Sequence, residues 1–126
     1  MSVAALKIIS DSLQSLGINY EFGVWTSEAV YPYFVGEYQE TPPMNEDGMQ
    51  ETTFLLTGFS RGSWLQLEEA KEKIEAYFNK VGGKAVIADN GSAVAVFYSG
   101  SLVIPTGDAE LKKIQINLIV KEWSVN

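Results

Sequence analysis

The sequence contains neither cysteine nor histidine. Without cysteine there is no disulfide and no thiol nucleophile, and without histidine the usual general base near neutral pH is missing. The two absences together also exclude thiolate and imidazole zinc sites. We therefore expect a protein that is not an enzyme and that carries no cofactor and no metal.

Long hydrophobic runs are missing as well. No stretch reaches the roughly 18 apolar residues needed to cross a bilayer. The opening residues, MSVAALKIISDSLQSLG, lack the basic flank and cleavage site of a signal peptide, and Asp11 and Gln14 interrupt their apolar pattern. We expect synthesis in the cytoplasm and no association with membranes.

Positive charge is scarce. Nine basic residues face 16 acidic ones, so the formal net charge is −7. Nucleic-acid affinity comes largely from lysine and arginine at phosphates, so sequence-specific nucleic-acid binding is disfavoured. DNA passing close to such a surface would not be held by it.

What the sequence does have is enough apolar material for one core. With 126 residues and 46% hydrophobic content, the chain suits a single domain, and no repeat or linker divides residues 1–126. Apolar residues at three- and four-residue steps predict a helix over 3–16, ended by Gly17. A second helix begins at Ser63, where Gln66 completes a capping-box pattern, and ends at Gly82 and Gly83.

Alternating patterns predict the strands. They cover 18–24, a segment opened by Pro32, 50–59, the two arms of a hairpin around a DNG turn at 89–91, and a final strand after a turn at 105–110. The order α-β-β-β-α-β-β-β predicts an α+β domain, with two helices packed on one antiparallel sheet of five to six strands.

Residues 58–62 read GFSRG and match the G-x-S-x-G pattern of a nucleophile elbow between a strand and a helix. A serine nucleophile needs a base, and the usual one is absent here, so a strand-to-helix turn is the favoured interpretation. A hydrolase that uses Ser60 with an unusual base remains an alternative. Arg61, beside a helix N-terminus, could contact an anion, but no glycine-rich phosphate loop accompanies it, so a solvated surface residue is the favoured interpretation.

The segment TPPMNEDGM, residues 41–49, has the composition of an exposed loop. The acidic residues around it fit no EF-hand spacing, so we interpret them as a solvated charged loop. Met44 and Met49 are apolar residues in this polar segment, and such a loop can become ordered against a partner. Trp25, Trp64 and Trp123 lie at element boundaries, where they either seal the core or contact a partner.

Three parts of the chain together resemble the tail-terminator, or tail-completion, proteins of long-tailed bacteriophages and prophages. The first is a helix ending in L-G-I before a strand, and the second is PYFVGE at 32–37. The third is a strand ending in a Ser-Arg turn before a helix with the A-K-E-x-I pattern at 70–74. The likeness spans nearly the whole chain and concerns structure, with no catalytic motif.

This resemblance implies a small α+β protein that assembles as a hexameric ring on the tail tube, stops tube polymerisation and offers the surface for head joining. Its partners would be other copies of itself, the tail tube protein and a head-completion or connector protein. It would act in the bacterial cytoplasm during assembly and then at the head-proximal end of the virion tail. The acidic charge suits a ring through which DNA slides.

Ring contacts are heterologous, so two different surfaces are needed, and loops between strands are suitable places for them. The candidate contact residues lie in or beside such loops: Trp25, Tyr31, Met44, Asp47, Met49 and Arg61. Another head-to-tail connector role remains an alternative, as does a small-molecule-binding domain in which AVYPYFVGEY, residues 29–38, lines a pocket.

Overall fold

Two helices and six strands make up the computed structural model, which describes residues 1–40, 49–79, 84–87 and 91–123. In chain order they are α1 (Val3–Ser15), β1 (Tyr20–Phe22), β2 (Tyr33–Glu40), β3 (Met49–Arg61), α2 (Trp64–Phe78), β4 (Lys84–Ile87), β5 (Ala93–Val103) and β6 (Leu111–Trp123). This confirms the predicted α+β class with two helices and six strands.

The six strands form one sheet in the order β1-β2-β3-β6-β5-β4. The two longest strands, β3 and β6, have 13 residues each and pair antiparallel at the centre. All other pairs are antiparallel except β1 with β2, which are parallel. The sheet is thus mixed rather than wholly antiparallel, because residues 23–32 carry the chain back to start β2 beside the start of β1.

Both helices pack on the same face of the sheet. Apolar side chains of α1 and α2 form a single core with alternate residues of the strands, including Phe34, Phe54, Leu56, Ile114, Ile116, Leu118 and Val120. The alternation of β6 was predicted from the sequence and is confirmed. The opposite face of the sheet has no helix over it in the described part of the chain, and we call it the open face.

The ends of the helices differ in how they are capped. The Ser2 side chain accepts a hydrogen bond from the Ala5 N–H at 3.1 Å and so caps α1. At α2 the predicted capping box is wrong: Ser63 is the N-cap residue but its side chain makes no capping hydrogen bond. The Gln66 side chain instead accepts a hydrogen bond from the Ser60 hydroxyl at 3.0 Å.

The strand predicted over 18–24 is shorter than its alternation indicates. Only Tyr20–Phe22 pairs, and Phe22 and Val24 are 47% and 66% exposed. Gly23 has a φ of 86°, which turns the chain out of the sheet directly after β1. The predicted turn at Asp89 and Asn90 lies outside the described residues. The end of the second helix predicted at Gly82 and Gly83 is wrong, because α2 ends at Phe78 with Asn79 as its C-cap residue.

Candidate interaction surface

Four aromatic side chains lie in contact at one end of the open face. We call them the aromatic ladder: Trp25, Tyr31, Tyr33 and Phe59. The ring centroids of Trp25 and Tyr33 are 4.7 Å apart, those of Tyr33 and Phe59 are 5.1 Å apart, and those of Tyr31 and Tyr33 are 5.5 Å apart. These are distances at which aromatic pairs attract one another.

Strand register builds the middle of the ladder. Tyr33 in β2 is the cross-strand partner of Phe59 in β3, and Phe59 is in turn the partner of Lys113 in β6. Directly opposed side chains on one face lie close enough to touch. The three strands therefore place an aromatic, an aromatic and a cation in one row across the open face.

The loop between β1 and β2, which is held by hydrogen bonds, adds Trp25 to this row. The Glu21 carboxylate accepts hydrogen bonds from the Thr26 hydroxyl at 2.6 Å and from the Thr26 N–H at 3.0 Å. The hydrogen bond from the Thr26 hydroxyl is the main cause of the lowered pKa of Glu21. The indole N–H of Trp25 donates to the carbonyl of Glu28 at 3.2 Å, which fixes the plane of the ring.

Two cations lie over rings of the ladder. The guanidinium carbon of Arg61 is 5.9 Å from the Tyr31 centroid, and Lys113 Nζ is 5.5 Å from the Phe59 centroid. Both distances are within the range of cation–π attraction. Arg61 also forms an exposed ion pair with Asp108 at 3.8 Å, whereas Lys113 has no carboxylate partner among the described residues.

The ladder is only half-buried, because nothing in the described chain covers the open face there. Burial raises the pKa of Tyr33, and the Tyr31 hydroxyl adds to that rise while Arg61 opposes it. A shallow depression of about 380 Å³ lies beside the ladder, bounded by Trp25, Val35, Thr57 and neighbouring groups. The surface thus offers flat apolar rings with positive charge at its margin.

Of the six candidate contact residues, the structure brings three together: Trp25, Tyr31 and Arg61. Met49 begins β3 opposite Trp123, at the other end of the strand from Arg61. Met44 and Asp47 lie outside the described residues. The candidate contact residues did not include Phe59 and Lys113, because their place in the ladder depends on the register of β3 with β2 and β6.

The structure also shows the surroundings of the residues considered for a serine hydrolase, a ligand pocket and a metal site. Ser60 is fully buried on the helix-covered face, with its hydroxyl hydrogen-bonded to Gln66. The segment considered as a pocket lining borders two depressions: Pro32 and Phe34 border one of about 210 Å³, and Tyr33, Val35 and Glu37 border the shallow one of about 380 Å³ at the ladder. Ligand pockets usually exceed roughly 300 Å³, so only the second is large enough for a ligand. Within residues 1–40, 49–79, 84–87 and 91–123, no three acidic side chains converge as metal ligands would.

Neither helix in the described part of the chain is long and apolar enough to span a bilayer. Comparison of the chain with protein-family models and with curated proteins gave no match.

Proposed function

We propose that this protein is a tail terminator of a long-tailed bacteriophage or prophage. It caps the tail tube, ends tube polymerisation and presents the surface that joins the head, working as a hexameric ring. The proposal begins from the sequence resemblance, and the α+β fold with its two helices on one face agrees with what that resemblance implies.

The observation that carries the proposal is the aromatic ladder with its two cations. Tryptophan, tyrosine and arginine are the residues that most often dominate binding energy at protein–protein interfaces. Here Trp25, Tyr31 and Arg61 lie together with Tyr33 on a sheet face that no helix covers within the described residues. The ladder suits a protein that acts by docking, and we assign it to contact with the tail tube or the connector.

In this proposal the protein acts in the host cytoplasm during assembly and afterwards at the head-proximal end of the tail. Its partners are further copies of itself, the tail tube protein and a connector protein. The net charge of −7 favours a channel that DNA crosses without being bound, since phosphates are repelled by acidic groups.

The test is electron microscopy of particles formed after deletion of the gene from its parent phage or prophage, with tail lengths recorded. Overlong tubes without heads are expected, because only the stop signal has been removed. Tails of normal length separated from filled heads would move the protein to the connector side of the joint. Unaltered virions would overturn the assembly role.

A further inference from the structure

Exposed apolar side chains gather at the two opposite edges of the sheet. On one side Val3, Phe22 and Val24 line a groove of about 630 Å³ between α1 and β1, and Tyr38 stacks on Phe22 with centroids 6.0 Å apart. We call these four residues the β1-edge patch. Val3 is 82% exposed, so the patch is open to a partner.

The other patch lies along β5. Leu102 and Val103 are 48% and 53% exposed, and Val103 shares a depression of about 410 Å³ with Trp64 and Lys112. We call Trp64 and Val103, together with Leu102 on the other face of the same strand, the β5-edge patch. The strand order places β1 and β5 four positions apart, about 19 Å across the sheet at the usual strand spacing.

Each patch adjoins main-chain groups that point away from the sheet. The Phe34 N–H donates to the Asn19 carbonyl, and the Gly23 N–H donates to the Gly36 carbonyl. Because main-chain groups alternate in direction along a strand, the N–H and C=O groups of Tyr20 and Phe22 point away from β2. At the opposite edge the described residues of β4 pair with residues 93–96 of β5. The Ile104 N–H donates to Lys113, which turns the main chain of Val103 outward.

Charge favours contact between unlike edges. Residues 18–40, which contain β1 and β2, carry four glutamates and no lysine or arginine. Lys7 also lines the groove, but it forms an ion pair with Asp11. Pairing two β1 edges would bring two such acidic segments together. The described residues of β4 and β5 with their flanks, 84–87 and 91–104, carry Lys84 as their only charged residue. Lys112 and Asp108, which have opposite charges, border the depression of the β5-edge patch. A β1 edge therefore meets less repulsion from a β5 edge than from another β1 edge.

We propose that the β1-edge patch of one copy packs against the β5-edge patch of the next, with main-chain pairing between the two strands. Such strand addition supplies hydrogen bonds from the edge and apolar contacts from the patches. The contact joins unlike surfaces, so it repeats head to tail and closes into a ring when the rotation allows. The inference rests on the proposed function in that it names the contact that closes the proposed ring.

The absence of native cysteine makes disulfide trapping a clean test. Two single variants, Val24→Cys and Leu102→Cys, are purified in full length, confirmed as folded by circular dichroism, and oxidised separately and as a mixture. We expect the mixture to shift to the mass of two chains while each variant alone does not. The double variant, with both substitutions in one chain, is expected to give a series of covalent oligomers at higher multiples of the chain mass.

Glu72→Cys on the exposed side of α2 serves as the control partner and should not cross-link with Val24→Cys. Cross-linking of Val24→Cys with itself alone would overturn the inference in favour of like-edge pairing. No cross-link in any mixture would also overturn it, whether sedimentation shows the native protein as a hexamer or as a monomer. A hexamer without the cross-link would leave the proposed terminator role standing, and that role is tested separately by tail length.

Discussion

Gly58 lies directly beneath the ring of Phe34. The two are cross-strand partners in β3 and β2, and a Cβ placed on Gly58 would be 2.3 Å from Cε2 of Phe34. Phe34 is fully buried, so its ring has little room to move away. The ring fills the space above the glycine, so a side chain at position 58 would have to displace it.

Gly58→Ala is therefore expected to lower the free energy of unfolding by about 1–3 kcal/mol, the usual cost of overpacking a core. Urea unfolding measures the change. Adding Phe34→Leu should recover part of the loss, because the smaller side chain leaves space for the new methyl group. If the double variant loses as much unfolding free energy as the two single variants together, the ring is not the obstacle.

Lys113→Glu is expected to produce the overlong tails of a gene deletion while leaving the protein folded. Lys113 Nζ lies over the Phe59 ring and at the margin of the aromatic ladder, so reversing its charge alters the docking surface. Lys73→Glu, on exposed α2, makes the same change in net charge and should leave tail length normal. Normal tails from folded Lys113→Glu would remove the ladder from the docking surface without removing the terminator role.

Tyr20 gives the fold a dependence on alkaline pH. Burial raises its pKa from 10.0 to about 12 in the folded protein. The contribution of neutral Tyr20 to stability is complete below the unfolded pKa and decreases as the pH rises from 10 towards 12, because the unfolded chain loses the proton first. Tyr20→Phe should flatten the fall in unfolding free energy over this range, and Tyr38→Phe, which removes a hydroxyl from an exposed ring, is the matched control variant. Equal slopes in the native protein and Tyr20→Phe would refute this assignment.

Glu21 gives the fold a pH dependence of the opposite sign, because its contribution to stability is lost as the pH falls. Its pKa is lowered in the fold, chiefly by the Thr26 hydroxyl, so its stabilisation is present above the ordinary value of 4.5 and is lost as the pH falls through the lowered pKa. Glu21→Gln should reduce the midpoint of urea unfolding at pH 7 and have a smaller effect at low pH. Glu28→Gln in the same loop is the control. A loss independent of pH would mean that the charge of Glu21 is not what holds the loop.

Ser60→Ala is expected to leave tail assembly intact and to cost about 1 kcal/mol, the net value of one buried hydrogen bond. The buried Ser60 hydroxyl donates to Gln66 and has the surroundings of a structural group. Incubation with a phosphonate probe checks the alternative, since a serine hydrolase would be labelled and would lose the label in Ser60→Ala. Such labelling would restore the hydrolase interpretation.

The features that could be predicted from the sequence are those that depend on residues close together in the chain. The helices and the two faces of β6 follow from spacings of two to four residues, which the sequence displays directly. The parallel pairing of β1 could not be predicted, because it depends on how residues 23–32 return to the sheet, and Gly23 ends the strand where alternation alone would continue it. The ladder joins Trp25, Tyr33 and Phe59 through loop anchoring and register, which no local pattern encodes.

β6, the last strand in the described part of the chain, is also a central strand of the sheet. β6 pairs with both β3 and β5, so during synthesis neither of these strands can form this pairing before β6 has been made. Until Leu111–Trp123 has been made, the chain holds two separate sheet fragments, β1-β2-β3 and β4-β5, with no strand to join them. The sheet is therefore completed after translation of its final strand, and a chain cut short before β6 keeps two unpaired edges in place of its centre.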